Sequence, residues 1–122
     1  MRFWTIEGAT AALPEVAAKV IRLRELVQAA RTNAGGNGAQ PSGNGHGPTN
    51  SGSTEVQSIL SALTDQGIIV RDPERGLIDF PAVAPDGRTY LLCWLDGEAS
   101  ITWWHWPEDG FAGRTPLTEP PE

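Results

Sequence analysis

Five residues in the second half of the chain carry side chains that could do chemistry: Asp79, Cys93, Glu98, His105 and Arg114. Two carboxylates can divide general-acid and general-base duties when they face one another. A cysteine beside a histidine can become a thiolate nucleophile. An arginine can clamp an anion or a carboxylate through two parallel hydrogen bonds. Zinc fails on donor count, because one structured histidine and one cysteine leave too few soft ligands, so no metal and no cofactor is assigned. A carboxylate-rich site for a hard cation stays open but has no loop signature. Each chemistry requires these groups to meet, so the elements that carry them decide the matter.

Four runs rich in β-branched and aromatic residues hold them: Ile68–Arg71, Leu77–Val83, Arg88–Leu95 and Ile101–Trp106. Pro73 and Gly76, then Pro85-Asp86-Gly87, then Asp96-Gly97 break the runs, and Asp-Gly between strand-like runs signals a hairpin. The expectation is a four-stranded antiparallel meander. With two-residue loops at both Asp-Gly pairs, Asp79 lies opposite Trp94, Trp94 opposite Ala99, and His105 opposite Arg88. Strands rise roughly 3.3 Å per residue, which sets Glu98 and His105 about 23 Å apart. Asp79 and Glu98 fall on opposite faces, so neither a carboxylate pair nor a catalytic residue is assigned. Cys93, between Leu92 and Trp94, reads as a small buried hydrophobe. His105 reads as a strand-end histidine bonded to backbone or carboxylate, or else as a ligand or pH-sensitive contact beside the tryptophans. Arg114 can run back along a strand to pair with Glu98 or Asp79, helped by Gly110 and Gly113.

Trp94, Trp103, Trp104 and Trp106 crowd the last two runs. In this register Trp94 and Trp103 share a face with Tyr90, Leu92 and Ile101, and Phe80, Leu91, Leu95, Trp104 and Trp106 occupy the other. An antiparallel sheet with one wet face alternates apolar and polar, and this one is apolar on both. Two helices can cover one side. The Gly110–Pro116 segment with Phe111, a second copy of the chain, or an open aromatic groove must serve the other. The leading expectation is a non-catalytic binding or assembly module, a homodimer or bound to a protein partner. Its contact surface is Trp94, Trp103, Trp104, His105 and Arg114. The alternative is a small enzyme or ligand-binding protein with Asp79, Glu98, His105 and Arg114 beside tryptophans.

Ahead of the strands lie two helical stretches. Leu13, Val16, Val20, Leu23 and Val27 recur at three- and four-residue steps and form one stripe. Pro14 suits the first turn of that helix, after a short turn capped by Thr5. Thr54-Glu55-Val56-Gln57 fits a capping box opening a second helix that stops at Gly67. Between them, residues 33–54 contain no charged, aromatic or large aliphatic side chain. A segment with nothing to bury cannot offset its ordering entropy and reads as a flexible linker in which His46 is incidental. One domain, 1–122, is expected: a helical segment 1–32, the linker 33–54, a helix 55–67, the meander 68–106 and an irregular tail 107–122.

The length allows one domain of ordinary size, and the net charge of −6 argues against a nucleic-acid partner. Residues 1–32 are net basic and residues 55–122 strongly acidic. Lys19, Arg22, Arg24 and Arg31 therefore form either a solvated helix face or a contact to acidic groups, the chain's own sheet included. The longest apolar run, Tyr90–Leu95, is too short to cross a bilayer, and the first residues show no signal region, so a cytoplasmic protein without membrane contact is expected.

Several blocks follow in a definite order: Gly76-Leu77-Ile78-Asp79-Phe80-Pro81, Leu92-Cys93-Trp94-Leu95-Asp96-Gly97-Glu98, Trp104-His105 and Gly110-Phe111-Ala112-Gly113-Arg114, with Phe3-Trp4-Thr5-Ile6-Glu7 and Leu13-Pro14 before them. Together they resemble the prokaryotic domain of unknown function 2203 family. The resemblance implies helices followed by a small β region, with no established activity. Gly8 stands where relatives tend to carry an acidic residue, and the linker replaces a longer charged helical hairpin. Both departures bear on the helix pair and not on the sheet. The fold class expected is α+β, an antiparallel helix pair followed by the meander.

Overall fold

The computed structural model describes residues 3–36 and 46–121. Helix α1 (Ile6–Gly36) and helix α2 (His46–Asp65) precede a sheet of β1 (Ile69–Asp72), β2 (Leu77–Val83), β3 (Thr89–Leu95), β4 (Trp103–His105) and β5 (Thr115–Pro116). The strands lie side by side in chain order, every pair antiparallel. The α+β class stands, with a fifth strand: β5 pairs with β4 and draws part of the expected irregular tail into the sheet.

Thr5 opens α1, its hydroxyl accepting from the Gly8 N–H at 2.9 Å. The helix runs unbroken through Pro14, which lies inside it and not in its first turn. Ala9, Leu13, Val16, Val20 and Leu23 form its buried stripe. Two links set the helices antiparallel. Arg22 pairs with Glu55 at 2.8 Å, and the Trp4 indole N–H donates to the Gln66 carbonyl at 3.0 Å. Both helices reach into the glycine- and asparagine-rich stretch, α1 to Gly36 and α2 from His46, so Thr54 is interior to α2 and caps nothing. Propagating an existing helix by one residue is far easier than starting one, which lets packed turns extend over poor helix formers. The rest of the expected linker, 37–45, and the His46 side chain lie outside the described residues. Gly67, at φ 80°, ends α2 as expected.

Both hairpin registers differ from the two-residue expectation. At the first, Ala84 N–H donates to the Arg88 carbonyl, so Pro85-Asp86-Gly87 is a three-residue loop with Gly87 at φ 91°. Asp79 therefore pairs with Cys93, not Trp94. A one-place slip exchanges the faces of a strand. At the second, Asp96-Gly97 does turn, with Glu98 N–H donating to Leu95 O at 2.9 Å. The return bond of a tight hairpin is lost, because Leu95 N–H donates to the Glu98 carboxylate at 2.9 Å. The Glu98 carbonyl is taken by the Trp94 indole at 3.0 Å. Pairing resumes only at Cys93 with Trp103, and His105 faces Leu91, not Arg88.

The result is a sheet with two distinct sides. Ile78, Phe80, Ala82, Tyr90, Leu92, Trp94 and Trp104 share one, packed with Trp4, Leu13, Val16, Val20 and Leu63. Phe80 and Trp104 thus join Trp94, contrary to the expected partition. The Trp4 ring meets Phe80 edge to face, and the Trp4 backbone N–H donates to the Pro81 carbonyl at 2.7 Å, bridging β2 where β1 no longer reaches. The other side carries Leu77, Asp79, Pro81, Leu91, Cys93, Trp103 and His105.

Candidate functional site

The polar residues gather on that second side. Asp79 is central on β2, Cys93 is its neighbour on β3, and His105 ends β4 two positions along. Asp79 and Cys93 are fully buried, and His105 is 2% exposed. One donor atom from each lies within 4.8 Å of the others. His105 Nε2 is 3.1 Å from Asp79 Oδ1, and its Nδ1 is 2.8 Å from the Trp106 carbonyl. Both ring nitrogens face oxygen acceptors when Asp79 is a carboxylate, an arrangement that favours the imidazolium. Burial works against that charge. The hydrogen bond to Asp79, with those to Cys93 and Trp106, outweighs it and pushes the His105 pKa up to about 10.

Two arginines close the cluster. Arg71 stands at the β-bulge in β1, between the paired residues Val70 and Asp72. From there its Nε donates to Asp79 Oδ2 at 2.6 Å. Arg114 follows the short 3-10 turn Phe111–Gly113. Its guanidinium carbon sits 4.7 Å from the Trp103 ring centre and 4.2 Å from that of Phe111. The same Nη1 donates to Glu98 Oε2 at 2.8 Å and lies 3.9 Å from Cys93 Sγ. The tail is thus fastened over the second face by a charge layered between two aromatic rings.

This geometry corrects the separation expected from hairpin register. The contacts running from His105 through Cys93 and Arg114 to Glu98 bring the two ends well inside the expected spacing. The wide loop after Leu95 moves His105 three places along β3, and the three-residue first loop turns Cys93 onto the side of Asp79. The expected Arg114–Glu98 ion pair is present. Trp94 and Trp104 are buried, their indoles bonded to the Glu98 and Glu119 carbonyls, and offer no surface to a partner. Trp103 is half-buried beneath Arg114. Arg71 is the member that sequence reasoning missed. Its position beside Asp72-Pro73 signals a turn, and nothing in the spacing reveals the bulge that aims it.

Chemically, the cluster is two mutual pairs, Asp79 with His105 and Glu98 with Arg114, sharing Cys93 between them. A surface hollow of about 450 Å³ lies elsewhere, lined by Arg24, Gln28, Arg31, Glu74 and Arg75. Its charges are answered locally. Arg24 bonds Asp96 and the Glu74 carbonyl, Arg31 bonds the Glu74 carboxylate, and Arg75 is 4.0 Å from Asp72. Arg24 and Arg31 on α1 therefore contact the chain's own sheet turns, while Arg22 pairs with Glu55 on α2. No described helix is long and apolar enough to cross a membrane. A family profile described as "Uncharacterized conserved protein (DUF2203)" matches residues 2–117. No curated protein and no solved structure matches the chain.

Proposed function

The chain belongs to this family of uncharacterized conserved proteins, and from that premise we propose that it is a non-catalytic assembly module that pairs with a second copy of itself. The observation that carries the reading is an apolar patch. Phe3, Ile6 and Val83 are three of the four exposed large hydrophobic side chains among the described residues. The parallel Trp4–Ala82 bridge sets Phe3 beside Pro81 and Thr5 beside Val83, so Phe3 and Val83 stand two positions apart along the same edge of the sheet, with Ile6 on the first turn of α1. Clustered exposed apolar side chains of this kind mark interaction surfaces. An isologous contact would set the same apolar groups of two copies against each other. The polar cluster supports the non-catalytic part, because Asp79, Cys93 and His105 are buried and its charged groups are paired with one another. A reactive acid, base or nucleophile needs a free partner atom and a place for substrate. A cytoplasmic location accompanies this reading, since a lone buried thiol such as Cys93 suits a reducing compartment.

Sedimentation velocity over a range of concentrations tests it. The mass is expected to rise from 13.1 kDa toward twice that value. Phe3→Glu and Val83→Glu should each hold the chain at the monomer mass with an unchanged circular-dichroism spectrum. A wild-type chain that stays monomeric at the highest concentration overturns the proposal.

A further inference from the structure

We propose that Asp79, Cys93 and His105 form a binding site for a single zinc ion. The donors are one carboxylate oxygen, one sulfur and one imidazole nitrogen, a mixture that suits a borderline-soft divalent cation and not a hard one. All three side chains are buried, and their donor atoms lie within 4.8 Å of one another. In a tetrahedral zinc site with bonds of about 2.0–2.2 Å, nitrogen and oxygen ligands stand roughly 3.4 Å apart. His105 Nε2 and Asp79 Oδ1 are already 3.1 Å apart, within a few tenths of an ångström of that spacing, and Cys93 Sγ lies within 4.8 Å of both and closes in on binding.

The surroundings are those of a ligand set. A metal-binding histidine normally gives its other N–H to a carbonyl or carboxylate, which fixes the ring. His105 does this through Nδ1 to the Trp106 carbonyl, leaving Nε2 toward Asp79 and Cys93. Arg71 holds the far oxygen of Asp79 and so turns Oδ1 inward. Arg114 Nη1, 3.9 Å from Cys93 Sγ, favours sulfur in its ligating thiolate form. Binding displaces the Nε2 proton and the thiol proton to solvent, as metal binding to such ligands requires. A fourth ligand would complete the tetrahedron. Counting soft donors along the sequence misses this site because it omits Asp79, which only the β2–β3 register brings beside Cys93.

Cobalt(II) is the probe, because its thiolate complexes show a charge-transfer band and d–d bands diagnostic of tetrahedral geometry. Chelator-treated full-length protein is titrated with Co²⁺ and then with Zn²⁺. The expected result is saturation at one equivalent, a thiolate-to-cobalt band, and its loss on adding Zn²⁺. Cys93→Ser should abolish the band and weaken binding by more than the roughly 10–100-fold that loss of an outer-shell partner brings. His46→Ala, at the chain's other histidine, should change neither. Cys93 is the sole cysteine, so the wild-type spectrum alone reports thiolate ligation and a misfolded variant does not blunt the test. Folded wild-type protein with no charge-transfer band, or binding lost in His46→Ala, overturns the proposal.

Discussion

Ile78 and Asp79 are consecutive on β2 and equally buried, yet they belong to sides of the sheet held by different physics. Ile78 enters the apolar cluster under the helices, with Phe80, Leu92 and Trp94. That side is sealed by area removed from water and by close packing, to which each side chain adds without a specific partner. Asp79 enters the opposite side, where Arg71 and His105 hold it between them. There the seal is stoichiometric. Each charge is tolerable in the interior only because its counterpart is present. The first arrangement degrades gradually when atoms are removed, and the second fails when one partner is lost.

The largest effect should come from Asp79→Ala. It strands the His105 imidazolium and costs about 3–5 kcal/mol of unfolding free energy in chemical denaturation, the range for one partner removed from a buried ion pair. A cost no larger than that of trimming a neighbouring aliphatic side chain would break the comparison. Next comes pH, read on chelator-treated protein. Facing His105 are Asp79 from β2, Cys93 from β3 and the Trp106 carbonyl, with Arg71 and Arg114 behind them. The folded pKa of about 10 lies above the ordinary 6.5. The stabilisation is therefore fully present below the unfolded value and lost as pH rises through the folded one, on the order of a few kcal/mol across that window. His105→Phe should flatten that slope, and an equal slope in the variant would assign it elsewhere. The smallest effect should be Ile78→Val, about 0.5–1.5 kcal/mol with no pH dependence. A larger, pH-dependent loss there would show that the two faces are coupled.

The helix stripe and the strand runs were legible because periodicity is local. Apolar residues at three- and four-residue steps select the buried face of α1 whatever it packs on, and Leu13, Val16, Val20 and Leu23 are buried as their spacing requires. Gly67 and the Asp-Gly corners also read correctly as stops and turns, because positive φ is a property of single residues. Loop length was not legible. Whether Pro85 joins the first turn, and whether Leu95 N–H prefers the Glu98 backbone or its carboxylate, depends on hydrogen-bond competition that composition does not reveal. Pro14 inside α1 and the reach of both helices into glycine-rich sequence likewise follow from context, not propensity.

Residue order by itself therefore determined the α+β class, the apolar stripe of α1, the places where the chain turns and the availability of Arg114 to Glu98. Tertiary structure alone decided which ionisable groups are neighbours. A hairpin one residue longer exchanges the two faces of a strand, and a loop a few residues wider moves a histidine by 10 Å or so along its partner. Asp79, Cys93 and His105 come from three strands, so their meeting rests on two registers at once, and a register is set by hydrogen bonds made only when the strands are already side by side.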